Sequence, residues 1–445
     1  MPVPRLLPFA TALAAAFALP AHSQSLVELY ESARSYDATY QGARAQFEAS
    51  VARAAQAKAG ILPNVAASAN ATRTDLDVDV TSGAPRSSSS RDYSTQTVGI
   101  SASQPLYRPA NWATYEQGKR QAVIAEAVLA SADQDLIVRV SQAYFDVLGS
   151  QDSLELVRAQ KTAVAEQLAS ARRNFEVGTS TVTDSREAQA RYDLVIAQEI
   201  AAENELQVRK LALDQLVGRT GSRPSPLATP VVLPAPDPAD MNTWVLQADE
   251  VHPAIRQARL GVDVAGLEVQ KAEAGHKPTV DATLGYSLTR NPEGTNLTTV
   301  GTRVNGAQVG VTLTVPLFAG FATQNRIRET LALEDQSRST LDATRRNVAQ
   351  ATRAAYLGLI SGASQVKALE AAEASSQSAL DANRLGYQVG VRINIDVLNS
   401  QSQLYQTKRD LALARYNVLL GNLKLRQANG TLTASDLAPI NAALK

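Results

Sequence analysis

A mainly helical, internally duplicated chain that lends strands to a membrane β-barrel is the fold this sequence predicts. Three observations carry the prediction. One unit is written twice, long stretches lack proline, and each copy holds two short segments of alternating polarity.

Composition sets the frame. Aromatics make up 5% and hydrophobics 44% of 445 residues, thin material for a globular core of that size. Ala, Ser, Gln and Leu dominate, as in long helices packed through small side chains. Lys plus Arg and Asp plus Glu both number 43, and a formal charge of zero argues against a nucleic-acid partner. With no cysteine there is no disulfide, no thiolate nucleophile, no cysteine metal site and no lipid on an N-terminal Cys. Residues 1–23 read as a secretory signal: Arg5, an apolar run from Leu6 to Leu19, and cleavage after Ala21-His22-Ser23, leaving Gln24 as the mature start. Pro8 and Pro20 interrupt that run, which is shorter than the roughly 20 residues of a membrane anchor. No later segment is apolar for long enough to span as a helix, so any membrane contact of the mature chain falls to strands.

The duplication is explicit. Val98-Gly99-Ile100-Ser101 through Pro105-Leu106-Tyr107 matches Val309-Gly310-Val311-Thr312 through Pro316-Leu317-Phe318. Phe175-Glu176-Val177-Gly178 matches Tyr387-Gln388-Val389-Gly390, and Leu211 through Gly218 matches Leu423 through Gly430. Upstream, Ala57-Lys58-Ala59-Gly60 and Pro63 match Ala272-Glu273-Ala274-Gly275 and Pro278 at a slightly larger offset. Repeat 1 thus covers 24–218, with helices 26–62, 110–174 and 184–217 and strands 64–76 and 93–105. Repeat 2 covers 242–430, with helices 242–276, 322–386 and 396–428 and strands 279–290 and 304–316. Between them, 219–241 carries six prolines and reads as an equatorial connector, and 431–445 is a C-terminal tail.

Each element has its reason. No proline interrupts the chain between Pro109 and Pro224 or between Pro316 and Pro439. A helix over 110–174 would extend roughly 95 Å, a length that suits a span across a compartment. Leu154, Val157, Lys161, Val164, Leu168, Ala171 and Phe175 step by three and four, as does the weaker series Val366, Leu369, Glu373, Ser376, Leu380, Asn383 and Tyr387. Leu404, Leu411, Val418 and Leu425 recur by sevens on the partner helix. In the strands, Val280, Ala282, Leu284, Tyr286 and Leu288 alternate with polar residues, as do Val309, Val311, Leu313 and Val315. Val65, Ala67, Ala69 and Ala71, then Val98, Ile100 and Ala102, form the fainter first copy. Pro63, Pro105, Pro278 and Pro316 sit where strand meets helix and a backbone donor can be spared. Residues 81–91 and 291–303 read as hairpin-tip loops. Four strands cannot close a barrel, and an open edge in lipid strands backbone groups at several kcal/mol each. The barrel must be shared between chains, two giving eight strands and three giving twelve; both remain open at this point.

At Tyr387-Gln388-Val389-Gly390, Arg392, Asp396-Val397-Leu398, Tyr405 and Leu411 through Asn417 the sequence resembles the TolC family of outer-membrane channel-tunnels. Gly430-Thr431-Leu432, Asp436-Leu437, Val177-Gly178, Thr183-Asp184 and Ala188 through Asp193 extend the resemblance over essentially the whole mature chain. It implies a homotrimer with a twelve-stranded barrel in outer-membrane lipid above a periplasmic α-barrel. The exit duct for drug efflux or type I secretion would be passive, working with a periplasmic adaptor (membrane fusion) protein and an inner-membrane RND or ABC transporter. Carried over by position, Arg392 would reach Thr183 and Asp184, Tyr387 would reach Asp184, and Asp396 would ring the periplasmic constriction. Asn399 stands where the family has a second aspartate, so this ring should hold less charge. Turn chemistry alone also suits these positions: Gly178 and Gly390 as left-handed helix caps, Asp184 and Asp396 as N-caps paired with Glu187 and Asn399. Arg392 has no capping role. Catalysis finds no support, because His252 and His276 stand apart from any acidic pair and no phosphate loop, nucleophile motif or metal spacing occurs; no cofactor is expected. A soluble periplasmic coiled-coil adaptor is the alternative, and it leaves the paired strand segments unexplained.

Overall fold

The computed structural model describes residues 24–79, 82, 88–228, 231 and 233–444. The signal segment and most of the 81–91 loop lie outside them. The chain divides into two compact units. One comprises the chain up to Ala43 with Ala130–His252 and Arg346 onward; the other comprises Arg44–Leu129 and Pro253–Arg345.

The second unit contains the sheet. Strands β1 (Asn64–Asp79), β2 (Ser88–Tyr107), β3 (Thr279–Asn291) and β4 (Thr302–Thr314) are antiparallel in the order β1-β2-β3-β4. Register keeps like with like: Val98 faces Leu288, Ile100 faces Tyr286, and Leu284 faces both Ala102 and Val309. A slip of one residue would set every apolar side chain against a polar neighbour. Val309, Val311 and Leu313 remain largely exposed on that face.

The first hairpin is longer than its alternation indicates. Ladder pairing continues through Asp77↔Ser90 to Asp79↔Ser88, past an ion pair between Arg73 and Asp92. Backbone pairing does not require apolar side chains, so hydrophobic period marked the membrane-like portion and missed the stem beyond it. Pro63 and Pro278 directly precede β1 and β3, and Pro316 follows β4. Pro105 corrects the expectation: it lies inside β2, at a register shift after which Tyr107 pairs with Val280. With no N–H to donate, Pro105 interrupts the ladder without ending it. Just beyond, Arg108 grips Asp281 of β3 with two bonds of 2.7 and 2.6 Å.

The helices of this unit pack through small residues. A Cβ on Gly118 would lie 2.9 Å from the Ala57 methyl. Helix α2 (Ala38–Lys58) and helix α6 (Pro253–Glu273) each end in a short 3₁₀ turn before a strand.

Two helices read as continuous are broken. The segment 26–62 divides into α1 (Leu26–Tyr36) and α2 at Asp37, whose carboxylate accepts the Tyr40 N–H at 2.8 Å and pairs with both Arg139 terminal nitrogens. Those Arg139 bonds hold the Asp37 carboxyl below its usual range. The segment 242–276 divides at the corresponding place into α5 (Met241–Val251) and α6, because Pro253 supplies no donor. Helix α3 (Pro109–Glu176) and α7 (Ala322–Gln388), of 68 and 67 residues, run through both units.

In the first unit, α4 (Val182–Val217) and α8 (Asn394–Asn429) complete the helical hairpins. Leu154, Val157, Val164, Leu168 and Ala171 are buried, as are Val366 and Leu380 in the second series and Leu404, Leu411, Val418 and Leu425. Lys161 occupies its seam position by pairing with Glu199, which Arg158 also reaches. Tyr144, fully buried, donates to the Ser225 carbonyl at 2.9 Å and ties the connector to α3. Trp244 donates to the Pro238 carbonyl at 2.7 Å. The C-terminal tail forms α9 (Leu437–Ala442); Leu437 and Ile440 are buried, and Arg426 pairs with Asp436 at 3.0 Å.

Candidate functional site: the turns joining α3 to α4 and α7 to α8

The α3–α4 and α7–α8 turns are built alike and lie in one unit. Gly178 (φ 78°) and Gly390 (φ 79°) occupy the left-handed region. Thr179 N–H returns to the Asn174 carbonyl and Val391 N–H to the Gly386 carbonyl, closing both helices in the Schellman manner. A Cβ at either glycine would meet empty space; it is φ that calls for glycine.

The following helices begin earlier than expected. Thr181, not Asp184, is the N-cap of α4: its Oγ1 accepts from the Asp184 N–H, and Asp184 returns a carboxylate to the Thr181 N–H at 3.0 Å. Asp184 is therefore the third residue of a capping box. Its carboxylate also accepts from Ser180 Oγ at 2.6 Å. Burial pushes the Asp184 carboxyl up, but the Ser180 and Thr181 bonds outweigh it and hold the group below its usual range. Asp396 is likewise at the third position of α8, behind Ile393, which offers no side-chain cap.

These placements set the partners of the singled-out residues. The Asp184 carboxylate is engaged by its own turn. Arg392 Nη1 lies 3.6 Å from Asp396, four residues along the chain. The Arg392 stem folds over the last turn of α7, where a Cβ on Gly386 would come within 2.6 Å of its Cγ. Tyr387 packs beside Leu380, Val397 and Leu404, and its hydroxyl accepts from Asn174 Nδ2 at 3.3 Å. Thr183 and Asn399 are exposed, and Asn399 accepts from Arg191 of α4 at 2.9 Å.

A residue that sequence reasoning passed over does most to join the two hairpins. Asn394, with no exposed surface, donates to the Asp184 carbonyl at 3.2 Å and accepts from Gln167 of α3. One side chain thus holds the start of α8 against both α3 and α4. The available signal was its place three residues ahead of Val397, on the backward continuation of the Leu404–Leu411 series. Among the described residues, no group of His, Asp and Glu could hold a metal.

The sequence matches the family described as Outer membrane efflux protein over residues 29–219 and 244–431. Outer membrane protein TolC of Vibrio cholerae serotype O1 is 33% identical over 444 residues, covering 99% of each chain. Alkaline protease secretion protein AprF of Pseudomonas aeruginosa is 32% identical over 95% of this chain and 88% of that one. Among solved structures, CusC superposes with a TM-score of 0.78 over 92% of each chain at 18% identity. VceC from Vibrio cholerae gives 0.77 over 91% of this chain and 96% of that one, at 20%. At such identities these two likenesses speak for the fold.

Proposed function

The chain belongs to the outer membrane efflux protein family, and we propose that three copies form a passive duct through the outer membrane, opened at its periplasmic end by the turns described above. It is an outer-membrane conduit of a Gram-negative cell, not an enzyme.

The observation that carries the assembly is the sheet. Four antiparallel strands with one apolar face leave β1 and β4 as open edges, which lipid does not tolerate. Three such sheets give twelve strands. Energy then comes from elsewhere, an inner-membrane RND or ABC transporter coupled through a periplasmic adaptor. Relatives named for protease secretion and for efflux support a role in type I secretion, drug efflux or both.

Closure is local chemistry. The two hairpins of a protomer are held together at Asn394, with Asn174–Tyr387 and Arg191–Asn399 beside it. Untwisting one hairpin against the other breaks these bonds and widens the end. Asp396 supplies one carboxylate per protomer to the constriction, and three such charges in a narrow pore attract cations. Arg392 beside it and Asn399 one turn on keep that ring less negative than a doubled one.

Fractionation and reconstitution test this reading. The protein should resist salt extraction from outer membranes, run as a trimer in mild detergent with a β contribution to its circular dichroism, and give small, cation-sensitive channels in planar bilayers. A salt-extractable monomer with no channel activity would instead support the soluble coiled-coil adaptor.

A further inference from the structure

The internal duplication reaches beyond the fold of one chain, because it contains a template for the contact between chains. The first hairpin begins its ladder at Asn64↔Ser103 and the second at Thr279↔Thr314. Position 64 thus corresponds to 279, and 103 to 314, so that β1 maps onto β3 with an offset of 215 and β2 onto β4 with an offset of 211. The sequence shows the same two offsets, Pro63 against Pro278 and Val98 against Val309. Both hairpins therefore occupy equivalent places in one pattern. The seam between them, β2 against β3, is the intrachain version of the seam that β4 must make with β1 of the next copy.

We propose that β4 pairs antiparallel with β1 of a second copy of this chain in the register of the β2–β3 seam, Gln308 opposite the partner subunit's Thr74. The inference rests on the shared-barrel reading and adds its alignment. Thr97 faces Thr289 across β2–β3, and their hydroxyls lie 3.3 Å apart. Carried through the two offsets, Thr97 becomes Gln308 and Thr289 becomes Thr74.

The side chains, which play no part in setting the register, match from Val311 to Val315, whereas Val309 falls opposite Arg73 of the partner subunit. Val311, Leu313 and Val315 fall opposite Ala71 of the partner subunit, Ala69 of the partner subunit and Ala67 of the partner subunit. These pairs are apolar on both sides, with large residues on β4 and just after it and small ones on β1. Thr312 and Thr314 fall opposite Asn70 of the partner subunit and Ser68 of the partner subunit, polar against polar. A one-residue slip breaks both matches. A two-residue slip keeps the faces, so experiment must separate displacements of two.

The seams also differ near their helical end. Arg108 and Asp281, which clamp β2 to β3, correspond to Ala319 and Ala66. The interchain seam has no ion pair at that level and is held there by its ladder alone.

The chain contains no cysteine, so introduced pairs report without background. Full-length Gln308→Cys is combined in turn with Thr72→Cys, Thr74→Cys and Leu76→Cys, oxidised in outer membranes and resolved on non-reducing gels. Directly opposite Cβ atoms lie about 4.5–5.5 Å apart and diagonal ones about 7–8 Å, and only the former approach disulfide reach. The Thr74→Cys pair should give at least tenfold more interchain product than either neighbour. Preferential coupling at 72 or 76 overturns the register while leaving the shared barrel standing. Absence of interchain product from all three, with Thr97→Cys/Thr289→Cys closing within its own chain as the control, overturns the shared barrel itself.

Discussion

Replacing Asn394 with leucine should unlock the periplasmic end. The substitution keeps the side chain's approximate size in a fully buried position and removes both of its bonds. The Asp184 carbonyl loses its donor and Gln167 loses its acceptor. A buried group left unpaired costs about 1–3 kcal/mol. Gln167 is half-buried and can turn toward water, which places the combined loss near 2–3 kcal/mol. If that loss falls on the closed arrangement, open and closed populations shift by roughly 30- to 140-fold, since each 1.4 kcal/mol is a factor of ten. Arg392→Ser provides the contrast. Its bond to Asp396 joins partly exposed side chains four residues apart, and such pairs contribute about 0–1 kcal/mol. Single-channel recording in planar bilayers separates the two: Asn394→Leu should raise conductance and open time clearly, Arg392→Ser several-fold less. A leucine variant as closed as the parent, or a serine variant more open than the leucine one, would refute the reasoning.

Three further perturbations follow from the same geometry. Asp396→Ala should weaken block by divalent and trivalent cations in bilayer recordings, and unchanged block would place the ring elsewhere. Thr181→Ala removes the N-cap of α4 and should cost about 1 kcal/mol locally, seen as faster proteolysis at the 178–181 turn; equal cleavage rates would count against the capping box. Burial lifts the Asp152 carboxyl above its ordinary 3.8, opposed by the 2.6 Å bond from the Tyr416 hydroxyl. A raised folded value means stability is complete below the ordinary value and declines as pH rises through the folded one. Asp152→Asn should therefore raise the melting temperature at pH 7 and lose that advantage toward pH 3, as scanning calorimetry would register.

Much of this architecture could be read from periodicity and proline, because both report backbone constraints directly. The proline-free runs became α3, α4, α7 and α8, and the two-residue alternation became four strands. What escaped was decided by partners distant in sequence. Asp37 breaks a helix because Arg139, about a hundred residues on, engages its carboxylate. Pro253 marks the equivalent break within 242–276, where helical period alone predicts one helix. Asp184 seemed free to receive Arg392, but Ser180 and Thr181 both donate to its Oδ2, and Arg392 pairs with Asp396 four residues along the chain. Asn394 carries no mark in the sequence beyond its spacing; only three helices meeting at one point give it its role.

The two hairpins are unequal in length. The first ladder has three more residue pairs than the second, about 10 Å of extra stem at the usual rise per residue. In the trimer proposed above, longer and shorter ladders would alternate around the ring, three of each. The loop that closes the second hairpin leans on the first: Glu293 accepts from the Ser94 N–H and hydroxyl, and Arg91 donates to the Thr295 carbonyl.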